Sequence, residues 1–204
     1  MLLANSAVSA LLNVLLLAGL PFLFYYVYHK RRKEVGFKEI TQRAGLQLGE
    51  HRYLGYSLMF AFVAVVAIIV WPPPLEASIR EGSAFQVFDG LDLGTPAIMM
   101  ALFYGVVKTG FAEELLFRGL IAGSLSRRFP ILWANLVQAL IFLLPHVLVV
   151  LIMPEMWILL PLIFIGSLFV GWVRIRSGSM VGPWLIHASV NVATALSVVI
   201  RSGV

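Results

Sequence analysis

The sequence predicts an all-α protein, a polytopic transmembrane bundle of about six spans around a polar cavity that opens toward the cytoplasmic side. Three observations predict it. Of 204 residues, 60% are hydrophobic and 12% charged, and mean hydropathy is +0.94, far too apolar for a water-facing domain. The apolar residues gather in six stretches, most near the ~20 residues that cross a hydrocarbon core. The basic residues cluster at alternate junctions, as one side of a membrane collects them under the positive-inside rule.

The first stretch runs from Leu3 to Tyr28, with a kink expected at Pro21. It stops at the charge run His29-Lys30-Arg31-Arg32-Lys33. No basic run precedes it and no small-x-small cleavage site follows, so it reads as a retained anchor rather than a cleaved signal. Val35 to Arg52 mixes Phe37, Ile40, Leu46 and Leu48 with charges. It is either an amphipathic piece along the membrane surface or a plain loop. The second stretch, Tyr53 to Trp71, ends at Pro72-Pro73-Pro74, which cannot continue a helix. The loop to Leu93 carries Glu76, Glu81, Asp89 and Asp92 against a single Arg80, a balance that suits the outer face.

The third stretch opens at Thr95-Pro96, read as a capping residue followed by proline at the first helical position. It runs for about 30 residues to Leu125, more than a crossing needs, so it must tilt or protrude. Pro130 opens the fourth, which reaches Met153 and contains Pro145-His146, where the proline is expected to free a carbonyl one turn earlier and kink the helix at the histidine. The fifth runs from Met156 to about Val173 and meets Arg174 and Arg176. Ser177–Met180 reads as a break, and the sixth stretch runs from Gly182-Pro183 to Ile200.

With this layout Lys30–Lys33, Arg127-Arg128 and Arg174/Arg176 share the cytoplasmic side. The acidic loop, Glu155 and both termini lie outside. Topology thus accounts for most of the net charge of +5, and no basic patch with interleaved aromatics suggests a nucleic-acid partner. The expected organisation is one integral membrane domain over residues 1–204, with two N-terminal spans and loops over 1–95 and a core over 96–200. No cysteine is present, which excludes disulfides, thiolate nucleophiles and cysteine zinc sites. No internal repeat is visible, which counts against a proton-coupled carrier.

Inside the third stretch, residues 112–119 read Ala-Glu-Glu-Leu-Leu-Phe-Arg-Gly. A charge in hydrocarbon costs at least ~2.5–3.5 kcal/mol, so such charges face a bundle interior or a wet cavity. Glu114 and Arg118 are four apart and can pair on one helix face, whereas Glu113 is turned by about 100°. The bland reading is a buried ion-pair network that locks helices together. Two more apolar stretches carry histidine: Phe142 and His146 are four apart, and so are His187 and Asn191. Three helices therefore present polar side chains to one interior. Such a set can run hydrolysis. A carboxylate beside a histidine orients and deprotonates water, and a second histidine with an amide can donate to the oxyanion formed at a carbonyl. Depth sets a condition. Counted from the cytoplasmic ends at 1.5 Å per residue, Glu113 lies about 20 Å in and His187 only about 8 Å. The sixth stretch must then begin below the membrane surface, lining a cavity. Lys108, a further charge in the third stretch, faces an outer vestibule, pairs with an acid, or snorkels outward.

Glu113-Glu114-x-x-x-Arg118, Phe142-x-x-x-His146 and His187-x-x-x-Asn191, in this order on three helices, resemble the CAAX-protease and bacteriocin-processing family, also called the Abi family. Its members are glutamate-type intramembrane endopeptidases related to the Ras-converting prenyl protease. The resemblance covers about Pro96 to Ile200. It implies that Glu113 activates water with His146 assisting, and that His187 and Asn191 form the oxyanion site. Glu114, Arg118 and Phe142 would support them. It implies metal-free chemistry without a cofactor, although two carboxylates and two histidines could also hold zinc. It further implies a peptide or protein substrate with a hydrophobic or lipidated segment, cleaved in the cell membrane of a prokaryote. A non-proteolytic scaffold or bacteriocin-immunity protein of the same family is the alternative.

Overall fold

The computed structural model describes residues 2–33 and 35–203; of the charge run, Lys33 is described in its backbone alone. Six helices of 20 to 31 residues are apolar enough to cross a membrane: α1 (Leu3–Arg32), α2 (His51–Val70), α3 (Thr95–Leu125), α4 (Ile131–Leu151), α5 (Pro154–Ser177) and α6 (Val181–Ser202). No strand occurs among the described residues. The predicted fold class is the observed one: the chain is an all-helical, multi-pass membrane protein.

Several local readings change. Helix α1 does not stop at Tyr28 but continues through the charge run, where long basic side chains leave the backbone bonds intact. Around Pro21 it widens into a π-turn at Leu15–Gly19, with the Leu20 N–H donating to the Leu15 carbonyl. That wider turn accommodates a residue that cannot donate in the ladder. Pro145 lies inside one unbroken α-helix, Ile131–Ile152. Thr95 is not the cap of α3; Gly94 holds that position without a side-chain bond, and Thr95 is already helical.

Helix α3 is central and irregular. Two π-helical stretches, Phe103–Phe111 and Leu115–Ala122, flank a short α-helical turn at Ala112–Glu114. Helix α6 lies tightly against it. A Cβ on Gly105 would fall 2.6 Å from the Val192 side chain and 2.8 Å from the Val192 backbone nitrogen, so only glycine admits this approach. Trp184 Nε1 donates to the Val106 carbonyl at 2.8 Å. Toward one end of this seam, Ala97, Met100, Ala101 and Tyr104 pack against Ala195, Val198 and Val199, with Phe88 from the preceding loop. Across α3, Ala18 of α1 meets the cluster of Ala112 and Leu115.

The two ends of the bundle separate as the charge pattern predicts. At one end Arg127 donates to the Tyr25 hydroxyl and to the Arg43 carbonyl, and Arg174 also reaches the Arg43 carbonyl. At the other, Arg80 pairs with Glu155 and the Arg201 guanidinium donates to the Pro73 carbonyl.

The segment between α1 and α2 is not a plain loop. Phe37–Arg43 is helical, with Ile40 and Ala44 fully buried. The following residues bind the α5–α6 turn. Met180 N–H donates to the Gly45 carbonyl, Ser179 Oγ to the Gln47 carbonyl, and Gln47 Nε2 to the Gly178 carbonyl. Arg174, just before that turn, donates from Nε to the Arg118 carbonyl at 2.9 Å. The start of α6 is therefore level with Arg118 and recessed behind residues 36–49.

Candidate active site

The α-turn Ala112–Glu114 sits where α3, α4, α5 and α6 converge. Glu114 and Arg118 are buried, each 1% exposed. Arg118 Nη1 lies 3.0 Å from Glu114 Oε1, in an off-line geometry that makes an electrostatic contact rather than a hydrogen bond. The guanidinium is held from two other sides. Its Nη2 donates to Ser167 Oγ of α5 at 3.0 Å, and its plane lies 3.9 Å from the centre of the Phe142 ring of α4. This desolvated cation–π contact ties α3 to α4.

His187 of α6 comes to both carboxylates. Its Nδ1 donates to Glu114 Oε1 at 2.8 Å, which fixes the ring. Its Nε2 then faces Glu113 Oε2 at 3.8 Å. Glu113 is the more open carboxylate, 23% exposed against 1% for Glu114. The 100° turn between neighbours therefore splits the pair as the spacing predicts: one carboxylate is enclosed with arginine, the other is turned toward the His187 Nε2 and is partly exposed.

Asn191, one turn beyond His187, donates from Nδ2 to Thr109 Oγ1 at 2.8 Å. Thr109 donates to the Tyr104 carbonyl five residues earlier, at 2.9 Å. His146 donates from Nδ1 to the Phe142 carbonyl at 2.9 Å, leaving Nε2 free. Among the described residues no hydrogen bond joins His146 to Glu113; the histidine beside Glu113 is His187. The Phe142 ring lies 4.9 Å from the His146 ring and 6.2 Å from that of His187, so it separates and seats both imidazoles.

Glu113, Glu114, Arg118 and His187 thus form one contact group. Phe142 and His146 border it, and Asn191 stands one turn along α6. Sequence reasoning missed Thr109, Ser167 and Arg174, which orient these groups. Their signal was a hydroxyl or guanidinium inside an apolar stretch, present but without a spacing that named a partner. Among the described residues, no group of three or more His, Asp or Glu side chains is arranged to hold a metal ion.

Fold and site together define a multi-pass membrane protein with a carboxylate–imidazole centre enclosed among its helices. The family model described as type II CAAX prenyl endopeptidase, Rce1-like, matches residues 95–193, which include every residue of that centre. That match, over just under half of the chain, supports membership of the CAAX protease family. The likeness points to the function of a membrane-embedded protease of the CAAX kind. No curated protein and no solved structure matches the chain.

Proposed function

We propose that the protein hydrolyses a peptide bond within the membrane by metal-free chemistry, with Glu113 as the base that activates water. The observation that carries this reading is the 3.8 Å between Glu113 Oε2 and His187 Nε2, too long for a direct bond and wide enough for one bridging water. Glu113 takes a proton from that water as its oxygen bonds to the scissile carbonyl carbon. The C–N bond then breaks, and the same proton goes to the leaving amine. His146 assists through its free Nε2. His187, when protonated on both nitrogens, donates to the oxyanion together with the second N–H of Asn191. Glu114 and Arg118 keep the His187 ring in place, and Phe142 spaces the two histidines.

The substrate is a peptide or protein with a hydrophobic or lipidated segment, reached from the lipid or from the basic end. That end is cytoplasmic by the positive-inside rule, in the cell membrane of a prokaryote.

The test is cleavage of a quenched lipopeptide and membrane-peptide library by purified protein in detergent, with and without chelator. Wild type should cleave, and chelator should leave the rate unchanged. Glu113→Gln should lower the rate by roughly 100-fold or more, and His146→Ala should lower it as well. Loss of activity with chelator would overturn the metal-free mechanism. Full activity of Glu113→Gln would remove Glu113 from its role.

A further inference from the structure

Lys108 has no part in this chemistry. It stands inside α3, and among the described residues no carboxylate lies within ion-pairing distance of it. Its ammonium is 5.7 Å from the centre of the Tyr104 ring, a weak compensation for a charge at this depth. Beside it a groove of about 520 Å³ runs between α3 and α1. Asn5, Ser9 and Asn13 line it at steps of four residues, so one face of α1 carries a polar stripe. Asn13 Nδ2 donates to the Lys108 carbonyl, which fixes the register of the two helices. Leu12 and Leu16 supply an apolar wall, and no acidic residue lines the groove.

Depth decides what such a groove can hold. Helix α1 ends in the basic run, so Tyr28 stands near one edge of the hydrocarbon. Counting back about 20 residues, or ~30 Å, brings the other edge to Val8 or Ser9. Asn5 and Ser9 then sit at headgroup level, and Asn13 about 6 Å below. A lysine level with Asn13 reaches headgroups by extending its stem along the stripe. Helix α1 is also the least buried of the six spans, so the groove opens to lipid rather than to the enclosed centre.

We propose that this groove is a binding site for one anionic phospholipid of the leaflet opposite the basic end. Lys108, Ser9 and Asn5 hold its phosphate and the Leu12–Leu16 wall holds an acyl chain. The lone positive charge, with no carboxylate beside it, selects a net negative headgroup over a zwitterionic one. The site is independent of the proteolytic reading.

Native mass spectrometry of the detergent-purified protein with phosphatidylglycerol and phosphatidylcholine of identical chains tests it. Wild type should retain one phosphatidylglycerol about fivefold more tightly than phosphatidylcholine. Lys108→Gln should abolish that preference. Ser9→Phe, which fills the groove and keeps the lysine, should lose both lipids. Arg128→Gln, at the basic end, should leave the preference unchanged. Equal preference in wild type and Lys108→Gln, or its loss in Arg128→Gln, overturns the proposal. So does full displacement by inorganic phosphate, which would make the site one for a free anion. Displacement by a peptide with a free terminal carboxylate, but not by added lipid, would assign the groove to substrate and overturn it equally.

Discussion

Asn191 donates to Thr109, and Thr109 in turn donates to the Tyr104 carbonyl. That relay holds one N–H of the amide and leaves the other for a ligand. On the proposed mechanism Thr109 is a positioning residue, and its value is measurable. Thr109→Val keeps the volume and removes both bonds. It should lower kcat by roughly tenfold, the worth of one net hydrogen bond, with KM unchanged, and Thr109→Ser should restore most of the loss. A fall in melting temperature without a fall in kcat would assign Thr109 to packing alone. The two glutamates and the arginine were legible in the sequence, because charges in an apolar stretch are rare and their spacing decides which of them share a face. Thr109 was not legible in the same way. A hydroxyl residue in a membrane helix commonly bonds to its own backbone, and nothing in the spacing of Thr109 and Asn191 on two helices pairs them. The His146 role shows the reverse case. The spacing Phe142–His146 was visible, but which histidine stands against Glu113 depends on helix depth.

Helix α3 departs from regular α geometry over most of its inner half, and the consequence is register. In a π-turn residues five apart replace residues four apart as vertical neighbours, so Thr109 sits over Tyr104. The spans themselves were legible because hydropathy and length constrain them, and the two prolines inside helices were not. Pro21 is absorbed by a widened turn and Pro145 by an unbroken helix, outcomes set by neighbouring helices rather than by proline itself. The α3–α6 seam is where the element is most sensitive. Gly105→Ala places a methyl 2.8 Å from the Val192 backbone nitrogen, so the two helices must part. It should lower stability in detergent by about 1–3 kcal/mol, read as a drop in melting temperature. It should reduce cleavage more than that loss of folded protein explains, since His187 and Asn191 ride on α6. Unchanged melting would mean that the seam yields more easily than its backbone contacts suggest.

At the scale of the molecule, one arginine joins the site to the surface. Arg174 is 4% exposed, and it bridges the Arg118 carbonyl in α3 and the Arg43 carbonyl at the end of the short helix Phe37–Arg43. Arg174→Met keeps an apolar stem and removes both donors. Each carbonyl keeps a second donor, Gly123 N–H for Arg118 and Arg127 for Arg43, so the loss is that of two charge-assisted hydrogen bonds, about 1.5–3 kcal/mol each. The variant should melt earlier, and limited proteolysis should cut residues 36–49 faster than in wild type. Protection of that segment equal to wild type would show that the short helix Phe37–Arg43 is held by Ile40 and Ala44 alone. This layer was the least legible part of the fold. The sequence of residues 36–49 has no clear periodicity, and its partner turn lies more than 130 residues away. Contacts of that range follow from assembly, not from local pattern.

The same separation has a consequence for biogenesis. Glu114 and His187 are 73 residues apart, and they meet only after α6 is made. At 5–20 residues per second, synthesis leaves the two glutamates waiting about 4–15 s for their imidazole. Over that interval a growing chain can hold the Glu114–Arg118 pair but not the centre. On the proposed mechanism, proteolytic competence arrives only once α6 has been made and packed against α3.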